Sequence, residues 1–138
     1  MRRLVREAGL EHAVRVDSAA THGYHVGEPP DARAQEHARR RGYDLSGLRA
    51  RQVAREDFEH FELILAMDRE HLGILRRIAP PQHRHKLRLL MEFAGEGQSD
   101  EVPDPYYGGP GGFERVLDMV EAAARGLLEQ LRGGLKAP

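Results

Sequence analysis

The apolar residues Leu63-Ile64-Leu65-Ala66-Met67 run without a polar break and are followed at once by Asp68. A short, uniformly apolar run suits a strand buried on both faces, so Glu62 to Met67 reads as a strand of a parallel sheet. Aspartate directly after it is placed to cap a helix through its side-chain oxygen. Leu72, Leu75 and Ile78 then share one helical face, and Pro80-Pro81 stops the helix because proline lacks an amide hydrogen and crowds the preceding turn. Strand, cap and helix in that order imply a parallel α/β sheet with helices on both faces.

The remaining chain is read on the same terms. Ala13 to Ser18, with Val14 and Val16 alternating against Arg15 and Asp17, predicts a short strand, and Lys86 to Phe93 predicts another. Asp31 caps a helix to about Arg41, which Gly42 terminates, and Arg55 to Phe61 adds a helical turn. Phe113, Val116, Leu117, Val120, Ala124, Leu127, Leu128 and Leu131 form one apolar stripe of a last helix, expected to end at Gly133-Gly134. At the amino end, Leu4, Val5 and Ala8 keep helical spacing and Gly9-Leu10 reads as a Schellman stop, yet no Ser, Thr, Asp or Asn caps the start. Ligands of such sheets bind at the carboxyl ends of strands, so the loops after Ser18, Met67 and Phe93 are expected to converge on one cleft.

A length of 138 residues suits a single domain, and 31% charged with 40% hydrophobic residues suits a soluble globular one. The formal charge of −1 offers no bulk basic field for nucleic acid, and no run approaches the roughly 20 apolar residues of a membrane span. Neither nucleic acid nor membrane is therefore an expected partner, and a cytoplasmic location is the default. There is no cysteine, which removes disulfides, thiolate metal sites and thiol nucleophiles from these residues.

In the third loop Asp104 stands between Pro103 and Pro105, with Tyr106-Tyr107 able to set aromatic faces beside its carboxyl. Expelling a phenolate, whose conjugate acid has a pKa of about 10, is eased by a positioned carboxylic acid. The same residues also make an ordinary Asp-Pro turn with exposed tyrosines. Tyr24 in the first loop reads as a cleft wall or as a surface aromatic. Ser18 and Asp68 at strand ends can orient a phosphate loop, although capping alone accounts for Asp68. His83-Arg84-His85, His22 and His25 lack a third ligand at supporting spacing, and Gly108 to Gly112 lacks the lysine of a nucleotide loop, so no metal and no cofactor is expected.

Four ordered motifs, D-S-A-A-T-x-x-Y-x-x-G-x-P-P-D at 17–31, A-R-Q-V-x-x-x-D-F at 50–58, I-L-A-M-D at 64–68 and D-P-Y-Y-G-G at 104–109, together resemble the low-molecular-weight protein tyrosine phosphatases across nearly the whole chain. The resemblance implies a flavodoxin-like three-layer α/β sandwich with strand order 2-1-3-4. It implies Asp104 as the general acid that protonates the leaving tyrosine and then activates water. Tyr24, Tyr106 and Tyr107 would line a slot that favours phosphotyrosine proteins as substrates, with Ser18 and Asp68 as supports behind them.

Members of that family bear a C-x5-R-S phosphate loop after a central first strand, and no such motif occurs in these residues. Loss of that strand would leave a slot about twice the 4.8 Å strand spacing, with unpaired backbone on both sides, and a domain that folds poorly. The uncapped Leu4 to Ala8 segment fits the same expectation, in which Met1 is a wrongly chosen start and roughly twenty residues precede it. On this reading the chain as given is inactive. The alternatives are a non-catalytic module that holds a phosphorylated or protein partner, and the arsenate reductases, which share the fold and also need cysteines. Nothing in the sequence fixes the oligomeric state.

Overall fold

The computed structural model describes residues 1–23, 25–95, 99–103 and 111–136, with side chains as far as Gly133. These form two compact units, residues 18–89 and residues 1–17 with 90–138.

The unit of residues 18–89 is built on two parallel strands, β1 (Ile64–Ala66) and β2 (Leu87–Leu89), paired in the register Ile64 to Leu87, Leu65 to Arg88 and Ala66 to Leu89. Helix α4 (Arg69–Ile78) joins them as a crossover, as a parallel pair requires. Its buried Leu72 and Leu75 pack with Phe58, Ala66, Ala79, Leu87 and Leu89 into one apolar cluster, which Val53 and Ile64 flank. Phe58, 1% exposed, comes from α3 (Arg55–His60), whose last turn is tied down by Lys86, the Nζ of which donates to the Phe58 carbonyl at 2.7 Å. A 3-10 helix, Pro81–Lys86, carries the chain from α4 into β2. Helix α2 (Ala32–Arg40) starts where Asp31 accepts from the amides of Arg33 and Ala34. It ends in a Schellman turn: Gly42 has φ +86, and the Tyr43 amide donates back to Ala38 at 3.0 Å.

In the other unit, α1 (Arg2–Glu7) stops as its sequence predicts, with Gly9 at φ +72 and the Leu10 amide donating to Val5 at 3.0 Å. The long helix α5 (Gly112–Lys136) buries Phe113, Met119, Ala123, Ala124, Leu127 and Leu128. It packs on a 3-10 turn, Leu90–Phe93, whose Leu90, Met91 and Phe93 are buried as well. The approach is close enough that a Cβ on Gly126 would fall within the contact radius of the Phe93 carbonyl oxygen. Glycine is required there to let two backbones meet.

Five expectations are corrected, wholly or in part. Ala13 to Ser18 is not a strand but a turn followed by irregular chain, because a strand exists only where a ladder partner takes its amides, and the Val16 carbonyl instead accepts from Arg2 Nε at 3.1 Å. The parallel pairing in that region falls a little later, as a single bridge between Ala20 and Gln52. The strand expected over Glu62 to Met67 keeps only Ile64–Ala66, with Met67 45% exposed, and the strand expected over Lys86 to Phe93 keeps only three residues before the chain tightens into the 3-10 turn. Helix α5 does not stop at Gly133-Gly134 but runs on to Lys136, since glycine ends a helix only by entering the left-handed region, which Gly133 does not do. Its buried face keeps Phe113, Ala124, Leu127 and Leu128 of the expected stripe and adds Met119 and Ala123, while Val116, Leu117 and Val120 are only partly buried.

Candidate functional site

At the carboxyl end of β1, Asp68 caps α4 as its position predicts. Its Oδ1 accepts from the His71 amide at 2.8 Å and meets His71 Nδ1 at 2.7 Å. Partial burial pushes this carboxyl upward, but the His71 amide and ring outweigh that and hold it below the ordinary aspartate range. A carboxylate fixed at a strand end beside an imidazole can orient a neighbouring loop or polar group. The pairing with His71 was not foreseen, although an N-cap aspartate followed three residues later by histidine is its visible signal.

Ser18 lies exposed at the head of the first loop, two residues before the Ala20–Gln52 bridge. That loop is fastened along its length to residues 50–53. The Ala20 amide donates to Arg51 and the Val53 amide to Ala20, both at 2.8 Å, while Gly27 donates to Ala50 at 2.7 Å and Ala50 to Glu28 at 2.8 Å. Gln52 Nε2 adds a bond to the Thr21 carbonyl at 3.3 Å. Gly27 turns the loop with φ +83, a conformation that side chains with a Cβ rarely adopt.

The anchor for this arrangement is a clamp. Arg51 donates to both carboxylate oxygens of Asp57, at 2.9 and 3.0 Å, and Asp57 also accepts the Ala54 amide at 2.8 Å at the start of α3. The Arg51 guanidinium accordingly holds the Asp57 carboxyl below its usual value. Both residues fall within the motif A-R-Q-V-x-x-x-D-F at 50–58. Their spacing, with the acid in the first turn of a helix, was the available signal.

Asp104, Tyr106, Tyr107 and Tyr24, expected as acid and aromatic walls, lie outside the described residues. Among the described residues there are shallow grooves. One of about 410 Å³ is lined by Val53, Arg55, Phe58, Ile78, Pro80 and Pro81 among others, and one of about 450 Å³ by Arg2, Val5, Glu11, Val14 and Val16 among others. Neither is lined by Ser18 or Asp68. Among the described residues no helix is long and apolar enough to cross a membrane.

Comparison with known proteins gives this arrangement its family. The model of the low molecular weight phosphotyrosine protein phosphatases matches residues 1–137. A low molecular weight protein-tyrosine-phosphatase of Streptomyces coelicolor is 46% identical over 131 residues, covering 93% of this chain and 79% of its own. A crystal structure of a protein tyrosine phosphatase from Entamoeba histolytica superposes with a TM-score of 0.91 at 34% identity, over 96% of this chain and 85% of that one. YfkJ from Bacillus subtilis superposes at 0.89 with 35% identity, over 96% and 82%. With the capped β1–α4 crossover and the fastened first loop sharing that α/β fold, the chain belongs to the low molecular weight phosphotyrosine protein phosphatase family.

Proposed function

We propose that these residues form the acid-bearing part of a phosphotyrosine phosphatase. The family match over residues 1–137 carries the reading. On it, Asp104 gives its proton to the phenolate oxygen as the phosphorus–oxygen bond breaks, and its carboxylate then takes a proton from the water that attacks the phosphoenzyme. Tyr24, Tyr106 and Tyr107 wall the slot that receives the aryl ring, and the substrates are phosphotyrosine proteins of the cytoplasm. Ser18 and Asp68 support the phosphate end, and the clamp of Arg51 on Asp57 keeps the first loop at its station.

Covalent catalysis in this scheme needs a thiolate and an Arg-bearing phosphate cradle, and residues 1–138 contain no cysteine. Protonating the leaving group without a positioned attacking atom supplies only part of the barrier reduction. We therefore expect residues 1–138 by themselves to hydrolyse a chromogenic aryl phosphate no faster than buffer. Turnover that falls on Asp104→Ala would overturn this, since the acid would then be working with a nucleophile of these residues.

A further inference from the structure

Strands β1 and β2 pair with each other, yet their sequences suit different places in a sheet. Along β2, Leu87, Arg88 and Leu89 are buried, exposed and buried in turn, and Lys86 precedes them. Charge and a solvent-facing residue are what natural edge strands carry. Strand β1 lies in the apolar run Leu63 to Met67, which holds no charge and has the composition of a strand with neighbours on both sides. The structure nevertheless gives β1 a single neighbour among the described residues, since its sheet has the order β1-β2 and ends there.

The surroundings of β1 are correspondingly open. Leu87 and Leu89 of β2 are buried, whereas Ile64 and Leu65 are only half-buried and Met67 is 45% exposed. In a parallel ladder the amides and carbonyls of alternate residues point to opposite sides, so those of β1 not bonded to β2 face its other edge. Among the described residues no other backbone hydrogen bond reaches Leu63 to Met67. Unpaired backbone beside apolar side chains is a template for a further strand. Relatives of this shape also carry chain that these residues do not supply. The Entamoeba histolytica structure is matched over 85% of its length and YfkJ over 82%, although each match takes in 96% of this chain.

We propose that the open edge of β1 takes an added strand from a second polypeptide, about five residues long, apolar at every position and parallel to β1. Apolarity selects the occupant. Ile64, Leu65 and Ala66 present apolar side chains alternately to both faces, so a polar residue beside them would be desolvated on either face without a partner. The direction follows from the same run, because strands apolar on both faces belong to parallel sheets, and β1 is already parallel with β2.

The test is amide hydrogen exchange of the whole 138-residue chain with and without a synthetic peptide of about five valines and leucines between terminal lysines. Saturable binding is expected, with at least one amide of Leu63 to Met67 slowed by about tenfold or more. A nitroxide on the carboxyl end of the peptide should broaden the Met67 amide more than that of Leu63, and one on its amino end should do the reverse. The same peptide with proline at its centre should not bind, since proline has no amide for a ladder. Met67→Lys should weaken binding by roughly threefold to tenfold. Ile78→Ser, at another exposed apolar residue, in the last turn of α4, should leave it unchanged. Thermal melts coinciding with that of the parent chain establish that the variants are folded. Absence of saturable binding, unchanged exchange over Leu63 to Met67, equal binding of the proline peptide, the antiparallel broadening pattern or loss of binding in Ile78→Ser each overturns the proposal. So does protection of the same amides when the chain alone is concentrated, which would make a second copy the occupant.

Discussion

Helices α4 and α5 each carry a glycine in mid-course. A Cβ added to Gly73 of α4 would meet nothing within 4 Å, whereas one added to Gly126 of α5 would run into the Phe93 carbonyl. The surroundings differ in the same sense. Helix α4 belongs to a unit that adds polar fastenings to its apolar cluster: aspartate caps at residues 31 and 68, the clamp of Arg51 on Asp57, and a loop held by backbone bonds. Helix α5 belongs to a unit specified by shape, where a helix and a 3-10 turn approach until their backbones touch. A glycine in one is a residue that happens to be small; in the other it is the contact itself.

The comparison breaks most readily at Gly126. Gly126→Val forces a side chain into a backbone carbonyl that cannot rotate away, and we expect it to cost about 3 kcal/mol or more, read from denaturant unfolding. Asp57→Ala tests the polar unit. It leaves the Arg51 guanidinium and the Ala54 amide without their shared acceptor, at about 2 kcal/mol, and should speed hydrogen exchange at the Ala20 and Val53 amides that the clamp indirectly holds. If exchange there is unchanged, the clamp does not position the loop.

Asp68→Ala should cost about 1 kcal/mol as a lost N-cap. It should also flatten the acid limb of stability. Asp57 and Asp68 both have their carboxyls held below the ordinary value in the folded chain, so the unfolded chain takes up protons first as pH falls. The stability they lend is full above about pH 4 and drains as pH drops through the lower folded values. Melting curves over that range should show a weaker pH dependence in the variant. The smallest effect has the opposite sign. Gly73→Ala fills open space in a helix interior with negative φ, and should stabilise by about 0.5–1 kcal/mol.

What could be read before the structure follows from how local each signal is. Asp31 and Asp68 as caps and Gly9 and Gly42 as stops are settled within a few residues and stand where the sequence places them, and the apolar run forms its strand only at its middle, Ile64–Ala66. Val14 and Val16 alternate as a strand would, but alternation says only which side chains could face a core, and the ladder partner that makes a strand is absent from the local sequence. Gly133 failed as a stop for a related reason, since a long helix already packed along its course carries through a glycine. The same limit applies to the site. Asp68 was legible as a cap, while its bond to His71 and the bridging of Arg51 to Asp57 depend on where side chains meet. The acid and aromatic residues at 104, 106, 107 and 24 were legible only as motifs.

The fastening of residues 20–28 to residues 50–53 has a consequence for how this chain tolerates change in length. Between the two fastened stretches lie α2 and the exposed turn around Gly47, and a residue inserted at that turn would simply lengthen the excursion without altering which amide meets which carbonyl. Inserted between Ala20 and Gly27, the same residue would put the bonds to Arg51 and Ala50 out of step. Variation in length among chains of this kind should therefore collect on the far side of the buckle, and the buckle itself should keep its count.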